Sequence, residues 1–229
     1  MENPRPKIVT ATEWQQARDE LLTAEKEATR TLDTLATRRR HLPMTPFNTH
    51  YTFDTPQGPQ TLHDLFHNRQ QLLIYQFMDN GPDHYCPGCT WFTNNIPTTA
   101  PTLLADHDIT WTTVSDMPLT QIEKYKAHND WTLPFVSSHG TTFSHDTGAG
   151  TGFLLTLFLR HNNNIYRTYT TTARGIEKLA FTTNILDLTP YGRQEDWENS
   201  PPNWPQNPTY HNPIPMQLHN TATGYGTYR

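Results

Sequence analysis

Cysteine is almost absent from this sequence. Its 229 residues contain two cysteines, Cys86 and Cys89, separated by two positions. A secreted domain held together by disulfides uses more cysteines and spaces them further apart, so that class of protein is excluded. In a cytosolic chain, a Cys-x-x-Cys pair instead indicates redox chemistry or metal binding.

Long apolar runs and an excess of positive charge are also missing. No stretch approaches the roughly 18 apolar residues of a membrane-spanning helix, and Met1 is followed by Glu-Asn-Pro rather than by the apolar region of a signal peptide. The net charge is -5 and the pI is about 6.1, and the run Arg38, Arg39, Arg40 is too short to create a basic field. We therefore expect a cytoplasmic protein with no membrane or nucleic-acid partner.

A long helix is predicted over residues 12–40. It would begin with a capping box formed by Thr12 and Gln15 and end before Pro43. Apolar residues recur every seven positions and predict a narrow stripe on an otherwise charged helix: Trp14, Leu21, Ala28 and Leu35, with Ala17, Ala24 and Leu32 alongside. Such a stripe must be covered, and two interpretations stay open: an arm packed on its own domain, or the contact of a homodimer.

Strands and helices alternate through the middle of the chain. The nearly continuous apolar run over residues 72–78 predicts a central strand buried on both faces. Residues 109–114 and 135–137 predict two further strands, with a helix over 119–128 between them. This order implies parallel crossover connections and therefore an α/β fold.

The rest of the domain is predicted to be antiparallel. Strands over residues 153–159 and 165–171 flank a turn and predict a hairpin, and a helix over 175–188 closes the domain. Beyond Pro190 the chain is rich in Pro, Asn and Gln and predicts an extended tail. The expected organisation is a helical arm at 1–45, one α/β domain at 46–192 and the tail at 193–229.

The cysteine pair has the position that thiol–disulfide exchange requires. Residues 86–89, Cys-Pro-Gly-Cys, follow the central strand and open the next helix. Unpaired N–H groups at a helix N-terminus stabilise a thiolate, so the pKa of the first cysteine is expected to fall below its free value of about 8.5. Cys86 is therefore the candidate nucleophile, and Cys89, one turn further on, is the candidate resolving thiol.

Polar residues of the preceding loop are candidates to assist the thiols. His84 lies two positions before Cys86, where a positive charge would acidify that thiol further. Asp79 and Asp83 are candidate acceptors of the proton of Cys89. A turn or cap role is the alternative for both aspartates, and an ordinary loop position is the alternative for His84.

A metal site is the other use of a cysteine pair. Structural zinc is disfavoured because the chain has no second cysteine pair to complete four ligands. Two thiolates and an imidazole instead form a soft ligand set that suits Cu(I). The candidate copper ligands are Cys86, Cys89, His84 and His145, with His139 as a further possibility. The redox hypothesis requires no cofactor.

Several motifs in order resemble one bacterial family. They are the heptad-like helix, residues 51–58 (Tyr-Thr-Phe-Asp-Thr-Pro-Gln-Gly), 75–78 (Tyr-Gln-Phe-Met), 86–89, 133–138 and 186–193. Together they are similar to domain of unknown function 899, described as predicted dithiol-disulfide oxidoreductases distantly related to peroxiredoxins. The resemblance implies a thioredoxin-like three-layer α/β fold with a mixed central sheet. It also implies the nucleophile and resolving roles for Cys86 and Cys89.

Two departures from related folds bear on the substrate. Thioredoxins carry a cis-proline before the strand that faces the cysteines, where it blocks metal capture and binds substrate backbone. Here the approach to Phe153 is Gly-Ala-Gly-Thr-Gly, residues 148–152, which raises the case for a metal or a small-molecule substrate. The residues before Cys86 also lack the Pro-x-x-x-Thr-x-x-Cys pattern of a peroxidatic cysteine, so peroxide reduction is a minor option.

The sequence supports three hypotheses of different kinds. The first is a thiol–disulfide oxidoreductase that acts on a small-molecule or protein thiol or disulfide and is regenerated by an external reductant. The second is a copper-binding protein or copper-dependent enzyme. The third is a scaffold that binds a partner through the N-terminal helix and leaves both cysteines dispensable.

Overall fold

The structure is a computed structural model that describes residues 4–208. Its strands are β1 (Thr45–Pro46), β2 (Thr52–Phe53), β3 (Gln60–Thr61), β4 (Gln71–Phe77), β5 (Ile109–Ser115), β6 (Phe135–Ser137), β7 (Leu154–His161) and β8 (Asn164–Thr171). Its helices are α1 (Ala11–Arg40), α2 (Pro87–Asn94), α3 (Ala100–Ala105), α4 (Leu119–His128), α5 (Phe143–Thr147), α6 (Arg174–Glu177) and α7 (Phe181–Leu186), with a 3-10 turn at Asp64–Phe66.

A six-stranded mixed sheet forms the centre of the molecule, in the order β1-β8-β7-β4-β5-β6. Strands β4, β5 and β6 are parallel, whereas β7 is antiparallel to β4, and β8 and β1 continue the antiparallel half. The expected α/β architecture, with parallel crossovers followed by an antiparallel hairpin, is confirmed. The edge strand β1 was not predicted, because two residues ending in proline carry no strand pattern; proline is tolerated at a sheet edge.

Strand β4 divides the core into two clusters. Its alternating side chains point to opposite faces: Leu72 and Ile74 belong to one cluster, while Tyr75 and Phe77 belong to the other. Gln76 faces the first cluster, where it donates to Ser144 and accepts from Thr147 Oγ1 at 3.1 Å, both in α5. Burial on both faces confirms the central position predicted for this strand.

The capping box of α1 is two residues earlier than expected. Thr10 is the N-cap: its side chain accepts the N–H of Glu13 at 3.3 Å, and Glu13 Oε2 accepts the N–H of Thr10 at 2.9 Å. The prediction at Thr12 and Gln15 is therefore wrong. A glutamate carboxylate is a stronger acceptor than a glutamine amide near the positive end of a helix, and these contacts lower the pKa of Glu13.

The helix predicted over residues 175–188 is divided into α6 and α7. Thr183 Oγ1 donates to the carbonyls of Glu177 and Ala180 at 2.6 and 2.9 Å, and Asn184 Nδ2 donates to those of Lys178 and Ala180 at 3.0 and 2.7 Å. Short polar side chains thus bond the carbonyl groups that a continuous helix would use, which interrupts it.

The apolar stripe of α1 is not covered by the rest of the described chain. None of the 30 residues of the helix is buried, and Trp14, Leu21 and Leu32 are 58%, 55% and 59% exposed. Packing of the stripe on its own domain is therefore wrong for residues 4–208, and the homodimer stays a prediction. Within the same residues, no helix combines the length and apolar character that crossing a bilayer requires.

The predicted C-terminal tail is described only in part. Residues 193–208 form turns and an isolated bridge between Glu195 and Asn207. Arg193 fastens their beginning to the domain through ion pairs with Glu177 and Asp187, at 2.7 and 2.6 Å. Residues 209–229 of the predicted tail lie outside the described residues.

Candidate dithiol site

A short loop carries the chain from the end of β4 to the cysteine pair. Asp79 and Tyr85 form an isolated antiparallel bridge that closes this loop. Gly81 turns it with a φ of +92°, and its N–H donates to Asp79 Oδ1 at 2.8 Å. The loop returns the chain to the end of β4 and places Cys86 at the N-cap of α2, where Pro87 is the first helical residue.

The sulfur of Cys86 contacts the start of α2 and the end of the central strand. Its Sγ accepts the N–H of Cys89 at 3.3 Å, as an N-cap side chain does. Its thiol donates to Met78 Sδ at 3.4 Å, and it is hydrogen-bonded to the thiol of Cys89. Both cysteines are free thiols. The structure thus brings the predicted nucleophile and resolving thiol into direct contact.

Cys89 lies behind Cys86 and is 1% exposed. Burial raises the pKa of the Cys89 thiol well above its ordinary value, and the contact with Cys86 raises it further. Hydrogen bonds with the Met78 backbone and the Tyr75 side chain act in the opposite direction but are smaller. Cys89 is therefore a protonated thiol at neutral pH, as a resolving cysteine is before it attacks.

Aromatic side chains belong to the same core cluster as the two thiols. Tyr85 stacks on Tyr125 of α4 with ring centroids 3.5 Å apart and planes within 2°. The hydroxyl of Tyr125 is 2.8 Å from Thr90 Oγ1, which donates to the carbonyl oxygen of Cys86 at 2.8 Å. A continuous chain of hydrogen bonds therefore links α4 to the backbone of the nucleophile. Burial raises the pKa of both tyrosines, so both phenols are protonated at neutral pH.

The loop before Cys86 is bonded to α4 beside the site. Lys124 Nζ pairs with Asp83 Oδ1 at 2.8 Å, and Gln121 Nε2 donates to the carbonyl of Gly81 at 3.0 Å. Met78 and Tyr85 pack against the cluster that contains both cysteines. Cys86 is 2% exposed, so a substrate must displace some of the surrounding residues to reach its sulfur.

The polar loop residues His84, Asp79 and Asp83 bond to the loop itself or to α4 rather than to the thiols. The ring of His84 is exposed, and its Nδ1 lies 2.7 Å from the carbonyl oxygen of Pro82. Asp79 accepts from the loop backbone, and Asp83 pairs with Lys124. These contacts agree with the alternative interpretation, in which the two aspartates have turn or cap roles. Neither contact involves Cys89.

The candidate copper ligands are not gathered around the cysteines. His139 Nδ1 lies 2.9 Å from the carbonyl oxygen of Asp116, and His145, 89% exposed, lies beside Asp146 at 3.1 Å. Among residues 4–208, no group of three or more His, Cys, Asp or Glu side chains is placed to hold a metal ion. The set Cys86, Cys89, His84 and His145 is therefore not assembled in the structure.

Sequence reasoning missed Met78, Thr90 and Tyr125. Met78 ends the apolar run of β4, and the bridge that closes the next loop brings its thioether beside Cys86. The only sequence signal for this contact is that the apolar run stops just before the loop that leads to the cysteines. Thr90 and Tyr125 are 35 positions apart, and no local pattern connects them. Phe153, preceded by the glycine-rich segment, also packs against the cluster that contains the thiols.

Asp146, the neighbour of His145, should make the stability of the fold depend on pH. Hydrogen bonds from Thr142, His145 and Tyr51 lower the pKa of Asp146 from 3.8 to about 2. The carboxylate is thus favoured in the folded state, so its stabilisation is present above about pH 4 and is lost as the pH falls towards 2. We expect Asp146→Asn to reduce this acid-dependent loss, measured as the urea midpoint at pH 7 and pH 3. Asp130→Asn, at an exposed position, is the control and should keep the wild-type difference.

The fold and the site define the chain as a thioredoxin-like α/β protein with a dithiol at the start of the helix that follows the central strand. It belongs to the family described as bacterial protein of unknown function (DUF899), which it matches over residues 3–210. The family resemblance of the sequence is thereby confirmed. None of the curated proteins compared with the sequence matches it.

Solved structures that match part of this chain share little sequence identity with it. An uncharacterized thioredoxin-like protein from Porphyromonas gingivalis is 14% identical, with 56% of this chain and 84% of that one covered and a TM-score of 0.43. Peroxiredoxin Q from Xanthomonas campestris is 14% identical, with 62% and 93% covered and a TM-score of 0.43. A secreted disulfide oxidoreductase of Mycobacterium tuberculosis, homologous to E. coli DsbE, is 10% identical, with 56% and 90% covered and a TM-score of 0.36.

Proposed function

We propose that this protein is a thiol–disulfide oxidoreductase with Cys86 and Cys89 as its redox pair. The observation that carries the proposal is the position of Cys86 Sγ, which caps α2, accepts the N–H of Cys89 and is hydrogen-bonded to the Cys89 thiol. Such a sulfur is stabilised as a thiolate by the helix N-terminus. Its partner cysteine lies one helical turn further on, and the backbone N–H of Cys89 already contacts Cys86 Sγ at 3.3 Å.

In the first step, the thiolate of Cys86 attacks one sulfur of a substrate disulfide. A bond forms between Cys86 Sγ and that sulfur, the substrate S–S bond breaks, and the departing thiolate takes up the proton that Cys86 released.

In the second step, Cys89 attacks Cys86 and releases the second substrate thiol. The Cys89 proton passes to this departing thiolate, so the step needs no carboxylate base. The substrate disulfide has then gained two electrons and two protons, and the enzyme holds a Cys86–Cys89 disulfide. The raised pKa of Cys89 is consistent with this order, because a thiol that stays protonated does not compete for the first attack.

An external dithiol or small thiol reduces the enzyme disulfide and completes the cycle. This requirement fits a cytoplasmic protein, since thiol pools keep such pairs reduced there. Cys86 is 2% exposed, so part of its surroundings must move for each substrate, and we infer that a small-molecule disulfide reaches the sulfur more readily than a folded protein does. No resident cofactor enters these steps.

Cys89→Ser should trap the first intermediate. We expect this variant, incubated with glutathione disulfide, to accumulate one glutathionyl group on Cys86, because the resolving thiol is gone; intact-mass spectrometry with peptide mapping measures the adduct. The wild-type protein should instead form its internal disulfide without retaining the adduct.

A matched pair of variants controls the assignment. Cys86→Ser keeps the thiol at position 89 and should form the adduct much more slowly. An adduct on Cys89 as fast as that on Cys86 would contradict the proposed order of attack. Absence of an adduct from both glutathione disulfide and a disulfide-bonded peptide would contradict the proposed function.

A further inference from the structure

Helix α1 carries a row of exposed apolar side chains along one face. We define the α1 stripe as Trp14, Leu21, Ala28, Leu32 and Leu35. Its large side chains are between 36% and 59% exposed, although they repeat at the spacing by which two helices pack together. An apolar row of this length on a monomer in water indicates an interaction surface.

The helix that carries the stripe is attached to the rest of the molecule at its C-terminal end and through the segment that precedes it. Seven residues before the helix begins at Ala11, the carbonyl of Pro4 accepts a hydrogen bond from the hydroxyl of Tyr191 at 2.6 Å. Near its end, the guanidinium of Arg39 lies over the ring of Tyr169, 5.6 Å from its centroid. The stripe lies on one continuous, capped helix, so its side chains are arranged before any partner binds, which reduces the entropy lost on association.

The charges of α1 are divided between its two halves. Residues 11–25 carry four acidic side chains and one basic one (Glu13, Asp19, Glu20 and Glu25, with Arg18). Residues 26–40 carry five basic side chains and two acidic ones (Lys26, Arg30, Arg38, Arg39 and Arg40, with Glu27 and Asp33). A helix of this kind complements a second copy of itself turned end for end.

We propose that two copies of this chain associate through their α1 stripes in antiparallel orientation, related by a two-fold axis near the middle of the helix. The acidic half of each α1 then lies beside the basic half of the other, and the helix dipoles oppose each other favourably. A parallel pair would place the three terminal arginines of both copies together. A two-fold contact is self-complementary and closes at two chains. This interface is independent of the proposed function.

The oligomeric state tests the stripe. In sedimentation equilibrium at high micromolar concentration, we expect the wild-type protein to have twice the chain mass of 26.5 kDa. Leu21→Glu should raise the dimer dissociation constant by about tenfold or more, because it places a charge in the apolar contact. Thr23→Glu introduces the same charge on the opposite face of α1 and should leave the constant near the wild-type value.

Each other outcome of this measurement counts against the proposal. A monomeric wild-type protein would overturn it and would leave the stripe to a different partner. Equal effects of Leu21→Glu and Thr23→Glu would show that net charge, and not the stripe, controls association. Circular dichroism of each variant confirms that α1 remains helical, which is expected because both positions are exposed.

Cross-linking tests the orientation. In a Cys86→Ser/Cys89→Ser background, Ala28→Cys lies near the two-fold axis and should form a disulfide with its copy on oxidation. Leu35→Cys should not, because in an antiparallel pair the two copies of residue 35 are separated by roughly 20 Å or more at 1.5 Å per residue. Efficient cross-linking at both positions would indicate a parallel pair, and none at either would exclude this interface.

Discussion

Cys86→Ser should lower the rate of disulfide reduction by about 1,000-fold or more, because a serine hydroxyl is not ionised at neutral pH and cannot replace the attacking thiolate. The measurement is the release of thiol from a chromogenic aromatic disulfide under single-turnover conditions. Cys86 caps α2 through an acceptor atom that serine also supplies, so the helix should be retained and the loss should be chemical.

Cys89→Ser separates the two steps in the same assay. It retains the nucleophile, so it should release one equivalent of thiol per chain and then stop, whereas the wild-type protein releases two. A Cys86→Ser protein that is folded by circular dichroism and still releases thiol at the wild-type rate would show that Cys86 is not the nucleophile. Turnover by Cys89→Ser without added thiol would show that Cys89 does not resolve the intermediate.

Phe143→Ala should lower the free energy of unfolding by about 3–5 kcal/mol. Phe143 is fully buried in the cluster on the face of β4 opposite the cysteines, where the rings of Tyr51 and Phe53 meet it edge-on with centroids 5.2 and 5.0 Å away. Removing the ring leaves a cavity and removes these contacts. Urea unfolding followed by tryptophan fluorescence gives the value.

Phe181→Ala is the matched control for this substitution. Phe181 is 66% exposed on α7, so the same change should alter the free energy of unfolding by less than about 0.5 kcal/mol. Because Phe143 lies across the sheet from the dithiol, folded Phe143→Ala protein should release thiol at the wild-type rate. Equal losses of stability in the two variants would contradict the two-cluster description of the core.

Local sequence patterns predicted those parts of the fold that depend on residues close together in the chain. The apolar run of β4 and the alternation of strands and helices depend on burial along a few consecutive positions, and the structure confirms both. The N-cap at Thr10 was missed because two overlapping Thr-x-x-Glu/Gln patterns compete, and the carboxylate of Glu13 is the stronger acceptor. The break between α6 and α7 was missed because Thr183 and Asn184 bond backbone carbonyls, which helix propensity does not register.

The candidate site likewise has features that local sequence predicts and features that it does not. The four residues 86–89 identify a dithiol at a helix start, because two cysteines three positions apart lie within one helical turn of each other. The environment of the thiols was not predictable, since Met78 meets Cys86 only because the loop between them returns, and Tyr125 is linked to the Cys86 backbone only through Thr90. The same holds for the histidines proposed as copper ligands: their distance along the chain carries no information on whether they meet the cysteines.

The sequence by itself determined the family, the α/β order of elements and the pair Cys86 and Cys89, because each depends on residue types at short, fixed spacings. Tertiary structure alone decided that the thiols are buried, that Cys89 has a raised pKa, and that the α1 stripe remains exposed. These properties depend on which distant segments exclude water from a given atom, and that exclusion exists only after the chain has packed.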